Sequence, residues 1–126
     1  MNKVIKEEIR ELENYLKTPI ENWGSKWLCI SYTKKFSEDF IREFKDKVHW
    51  GPVSCEQTLS EEFIREFKDR VNWHYISRYQ ELSEDFIREF KNKLDWDWIL
   101  YYQKPSEEFI NSLNKPFSRF ELMEIE

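Results

Sequence analysis

The chain has 126 residues, a net charge of -5 from 20 basic and 25 acidic side chains, and ten Phe, six Trp and six Tyr. That length holds one core of ordinary size, and so rich an aromatic complement excludes a disordered chain. Mild acidity without clustered Lys and Arg excludes ordinary phosphate-backbone binding, and no apolar run approaches the roughly 20 residues of a membrane span.

From the first residue, Val4, Ile5, Ile9, Leu12 and Leu16 follow helical spacing, which predicts a helix that caps whatever comes after it. The stretch is too charged for a signal peptide. Thr18-Pro19-Ile20-Glu21 predicts a capping-box start for a brief helical turn, closed at Gly24. Residues 1–26 form the expected N-terminal cap.

From Trp27 onward the chain repeats itself every 23 residues. Phe36 to Val48 returns as Leu59 to Val71, then as Leu82 to Leu94, and once more in degraded form as Pro105 to Phe117. Ser37, Ser60, Ser83 and Ser106 keep this step, as do Trp27, Trp50, Trp73 and Trp96. Each unit reads as two short helices. The first starts at the serine, a good N-cap, with two acids favouring the positive end of the helix dipole. The residue before it (Phe36, Leu59, Leu82) is placed to staple onto Ile41, Ile64 or Ile87. Phe40, Ile41, Phe44 and Val48 share one arc of the helix, and Glu38–Arg42 and Glu43–Lys47 are helix-spaced ion pairs on its surface.

The second helix starts after His49, Asn72 or Asp95 and spans about Trp73 to Gln80 in the third unit. Trp73, Ile76, Ser77 and Tyr79 share its face. In the second unit Gly51-Pro52 falls in the first turn, where proline's missing N–H has no helical partner. Repeats over 27–115 are followed by a tail, 116–126, expected to seal the last unit. The predicted fold is all-α: a short α-solenoid of about four two-helix, 23-residue repeats in one domain, with an N-terminal cap helix.

The run Trp73-x-x-Ile76-Ser77-x-Tyr79-Gln80-x-Leu82-Ser83-Glu84-Asp85-Phe86-Ile87-Arg88-Glu89-Phe90 resembles a short tandem repeat found in proteins of giant DNA viruses and some phages. The resemblance spans about Trp27 to Leu113. It implies a viral origin, in keeping with a chain that lacks alanine and favours residues with AT-rich codons. It implies no catalytic or binding residue. Gly51-Pro52 and Trp98-Ile99-Leu100-Tyr101 depart from the pattern.

Chemistry is sparse. Cys29, Cys55, His49 and His74 occupy different positions in successive units and show no paired ligand spacing, so neither a metal nor another cofactor is expected. Two cysteines make no disulfide framework, which points to a reducing cytoplasm, that of the host cell for a viral chain. With Gly24 and Gly51 as its only glycines, the chain has no phosphate loop or nucleophile elbow, and paired carboxylates recur in every unit where a catalytic pair would be singular. No enzyme is expected.

Two surfaces remain. Glu38/Asp39, Glu61/Glu62 and Glu84/Asp85 form an acidic ladder that either mimics phosphates, as a decoy against a nucleic-acid-binding protein, or serves only the helix dipoles. The other surface lies where repeat identity breaks, with Trp23, His74, Tyr75, Arg78, Trp98 and Tyr101 as candidates. Position 75 reads Cys29, Pro52, Tyr75 and Trp98 along the array, and position 78 reads Tyr32, Cys55, Arg78 and Tyr101. Packing alone would keep such positions alike, whereas contact with an asymmetric partner, or drift at an unconstrained surface, diversifies them. The expected function is therefore a non-enzymatic viral module that binds or sequesters a host protein through Tyr75, Arg78, Trp98 and Tyr101. Its alternatives are the acidic decoy and a sponge for small ligands.

Overall fold

The computed structural model describes residues 1–113, all of it helix, turn or irregular chain without a strand. The tail expected over 116–126 lies outside the described residues. The chain divides into two compact units, Met1–Gln57 and Thr58–Glu126.

In the first unit, α1 (Lys3–Leu16) opens on Asn2, whose side chain accepts the Ile5 N–H, and closes on Lys17 in the left-handed conformation. Ile5 and Leu12 are buried, whereas Val4, assigned to the same stripe, is exposed. The helical turn Ile20–Asn22 follows. Its capping box does not form. Thr18 donates its hydroxyl to the Leu16 carbonyl, and the Glu13 carboxylate, on α1, receives the Ile20 N–H at 2.7 Å. Gly24 lies at φ +47°, a backbone conformation that carries no penalty only without a Cβ. Helices α2 (Lys26–Thr33), α3 (Glu38–Glu43) and α4 (Trp50–Glu56) complete the unit.

The second unit holds α5 (Glu61–Glu66), α6 (Trp73–Tyr79), α7 (Glu84–Glu89), α8 (Trp96–Trp98) running into a π-helical turn (Ile99–Gln103), and α9 (Glu107–Ser112). Ser37, Ser60, Ser83 and Ser106 each accept the N–H three residues on, at 3.1 Å. Every serine at the 23-residue step therefore caps a helix.

These first helices are shorter than their apolar period. Each ends after six residues, and a separate turn closes on Phe44, Phe67 or Phe90, whose carbonyl accepts the N–H four residues on at 3.0–3.2 Å. That turn does not run on into the next helix. Continuing helix would join the Lys45 carbonyl to the His49 N–H, but the Trp50 indole takes that carbonyl at 3.0 Å and Ser31 Oγ takes that N–H at 3.3 Å. In the second unit the Trp96 indole takes the Lys91 carbonyl at 2.8 Å, and Ser77 Oγ takes the Asp95 N–H at 2.9 Å. Ser31 and Ser77 are fully buried and donate their own hydroxyls to the Trp27 and Trp73 carbonyls.

Within each unit a glutamine ties the later short helix to the earlier one. In the first unit Gln57, 3% exposed, donates its amide to the Ser31 and Lys34 carbonyls and accepts the Phe36 N–H at 2.9 Å. In the second unit Gln103 donates to the Ser77 and Gln80 carbonyls and accepts the Leu82 N–H, while Gln80 accepts the Leu59 N–H. The core beneath is aromatic. Trp27 packs on Phe40 and Phe44 with centroids at 6.1 and 5.3 Å, and Trp73 on Phe86 and Phe90 at 6.3 and 5.0 Å. Phe36 meets the Phe40 ring at 4.7 Å.

Candidate functional site: an aromatic cluster around Arg78

The cluster lies in the second unit, on α6 and on α8 with its π turn. Asn72 caps α6 by accepting the Tyr75 N–H at 3.1 Å, so Tyr75, Arg78 and Tyr79 leave one short, well-started helix. The π turn ends at Lys104, left-handed at φ 49°, and presents Tyr101 and Tyr102 side by side. The extra residue per turn displaces side chains from where a regular helix would hold them.

Arg78 stands at the centre. Its guanidinium carbon lies 4.9 Å from the Tyr79 centroid, 4.8 Å from Trp98 and 5.3 Å from Tyr102. Among the described residues no carboxylate or carbonyl binds it. The charge is thus held among aromatic rings, while its N–H donors have no protein acceptor among the described residues. The rings continue on both sides. Tyr101 meets Tyr102 at 4.8 Å, Tyr102 meets Trp98 at 5.2 Å, Trp98 meets His74 at 5.4 Å, His74 meets Tyr75 at 5.8 Å, and Tyr75 meets Tyr79 at 6.1 Å. Tyr79, Tyr101 and Tyr102 are 49%, 61% and 42% exposed.

His74 fixes the orientation of Trp98. Its Nδ1 is 2.7 Å from Asp95 Oδ2, and the Trp98 indole nitrogen is 3.0 Å from both imidazole nitrogens. A carboxylate only accepts, so Nδ1 is the donor in the contact with Asp95. Asp95, whose side chain makes no capping bond on α8, is spent on this contact.

The structure joins Arg78 to Trp98 directly, and joins Tyr75 and Tyr101 to them through His74, Tyr79 and Tyr102. Tyr79, assigned to the buried face with Trp73, is half exposed and touches Arg78. Tyr102 was not singled out. The signal was available, because the register of Tyr79 and Tyr102 holds Thr33 and Glu56 in the earlier units. Trp23 does not belong to any such surface: it is 1% exposed, edge-on to Trp27 at 4.8 Å, with its indole on the Thr18 carbonyl.

The acidic ladder is largely committed to hydrogen bonds. Glu61 accepts the Ser83 N–H at 2.6 Å and hydroxyl at 3.0 Å, and Glu84 accepts the Ser106 N–H at 2.9 Å. Glu8 does the same for Ser37 from α1. In the first unit Asp39 pairs with Arg42 at 2.8 Å, and Glu38 has partners of its own. Glu62 and Asp85 are exposed, Asp85 lying 3.7 Å from Arg88. Across the ladder in the second unit, Arg65 grips Glu89 with two bonds of 2.8 and 2.7 Å, which holds the Glu89 carboxyl below its usual range.

Cys55 is half buried, and burial followed by the charge of Glu56 pushes its thiol up, away from the thiolate a nucleophile needs. Cys29 is exposed. Among the described residues no three His, Cys, Asp or Glu side chains gather as metal ligands, and no helix is long and apolar enough to cross a membrane. The chain finds no match among protein-family models, curated proteins or solved structures.

Proposed function

We propose that this chain is a non-enzymatic binding module, a solenoid of about four 23-residue repeats, that engages a partner protein through the Arg78 cluster. The observation that carries this reading is the half-exposed group of Tyr, Trp and Arg on α6, α8 and the π turn, built from positions that differ from their equivalents elsewhere in the array. Trp, Tyr and Arg dominate the binding energy of protein interfaces because they offer large, stiff contact area with a polar handle. The repeat resemblance extends the proposal to a viral protein acting on a host protein in the host cytoplasm. The acidic decoy is disfavoured by the bonds that occupy Glu61 and Glu84.

The test is a pull-down from host lysate, repeated with Tyr75, Arg78 and Trp98 all changed to Ala. Helicity should persist while affinity for the captured protein falls roughly 100-fold, equivalent to about 2.7 kcal/mol. A charge reversal, Glu62→Lys with Asp85→Lys, should leave binding nearly unchanged. Loss of binding on charge reversal with normal binding by the aromatic variant would put the decoy in its place.

A further inference from the structure

We infer that the Arg78 cluster recognises a single carboxylate, carried on an extended peptide whose neighbouring side chains lie on the tyrosine and tryptophan rings. This rests on the partner-binding reading and names the chemistry of the partner. A guanidinium stacked on rings has its faces satisfied and its edge open, and that edge is a planar fork matched to a carboxylate. Arg78 has three ring centroids within 5.3 Å of its guanidinium carbon and no protein acceptor among the described residues, which leaves its fork to a ligand. Arg65, by contrast, has both arms on Glu89.

The surroundings select the charge. Residues 58–113 carry eight basic and twelve acidic side chains, and the imidazole nearest the cluster is turned to Asp95. One cation in an acidic neighbourhood suits a monoanion, whereas a phosphate dianion would meet repulsion that one arginine does not offset. The extent of the ring path selects a chain over a compact ligand. Its five steps from Tyr101 to Tyr79 are each 4.8–6.1 Å, and an extended peptide advances roughly 3.3 Å per residue, so several residues can lie along it.

The probes are the blocked tripeptides Ac-Phe-Glu-Phe-amide, Ac-Phe-Gln-Phe-amide and Ac-Phe-phosphoserine-Phe-amide. Each is titrated into the full chain while the Arg78 Nε–H and Trp98 indole N–H signals are followed by NMR. The glutamate peptide should shift both signals and bind at least about tenfold tighter than the other two. Arg78→Gln should abolish its advantage over the glutamine peptide, and Arg78→Lys, which keeps the charge but loses the fork, should retain only part of it. Circular dichroism of both variants checks that they fold. Equal binding of the glutamate and glutamine peptides would overturn the carboxylate while leaving an aromatic contact surface in place. Tighter binding of the phosphoserine peptide would overturn it in favour of phosphate recognition. If no peptide moves either signal, the inference fails, and the lysate pull-down decides separately whether the partner-binding reading survives.

Discussion

Gln57 has a structural role that its chemistry states more clearly than its place in the chain. Both ends of its amide are used, with the oxygen on the Phe36 N–H and the nitrogen on two carbonyls, at a site 3% exposed to water. Gln57→Leu would fill the space yet leave the buried Ser31 carbonyl and the part-buried Phe36 N–H and Lys34 carbonyl unpaired, at roughly 1–3 kcal/mol for a group that water cannot reach and less for the other two. A loss of about 2–4 kcal/mol in denaturant unfolding is expected. Gln57→Glu should be worse, because a carboxylate keeps the bond to Phe36 but cannot donate and must be buried charged or protonated. If Gln57→Leu unfolded at the wild-type denaturant midpoint, the glutamine bond network would contribute nothing. The glutamines at 57, 80 and 103 keep the 23-residue step as strictly as the serines do. Their period was legible; their duty was not, since nothing local distinguishes a surface glutamine from one folded inward.

Between elements, the ion pairs follow contacts that helix spacing does not reveal. Arg65 reaches from α5 to Glu89 on α7, where a helix-spaced partner was expected. Its bonds, followed by its nearby charge, depress the Glu89 pKa below the unfolded value of about 4.3. A depressed carboxylate contributes stability that is fully present above the unfolded pKa and is lost as pH falls through the folded pKa. Wild type should therefore melt above Glu89→Gln at neutral pH, and the gap should close in acid below about pH 4. A gap that stayed constant down to acid pH would show that the pair does not contribute through charge. Both partners are exposed, and salt should shrink the neutral-pH difference.

Over the whole molecule, stability resides in the aromatic layer beneath each short helix. Phe67 is buried and packs on Phe63 at 4.7 Å in the second unit. Phe67→Ala should cost about 3–5 kcal/mol, a large share of the 5–15 kcal/mol that holds a small domain together. Arg65→Ala, at an exposed position two residues earlier, should cost much less in the same denaturant titration. Equal losses would place the core on the other face.

The all-helical class, the serine caps and the aromatic core were readable from the chain because they depend on period and on local hydrogen bonding, both of which are written along the sequence. The four candidate residues were singled out because departures from a repeat are visible in the sequence alone. Tertiary structure decided the rest. It anchored the chain that leads into the short helices, because the buried Ser31 and Ser77 hydroxyls take the His49 and Asp95 N–H groups. It turned Tyr79 outward and Trp23 inward, and it bound Glu61 and Glu84 to the serines of the next helices. It also gathered Tyr79, Trp98 and Tyr102 around the Arg78 guanidinium. A hydrogen bond or a ring contact between residues 18 to 26 positions apart is set by how elements pack, and no local pattern in the chain records it.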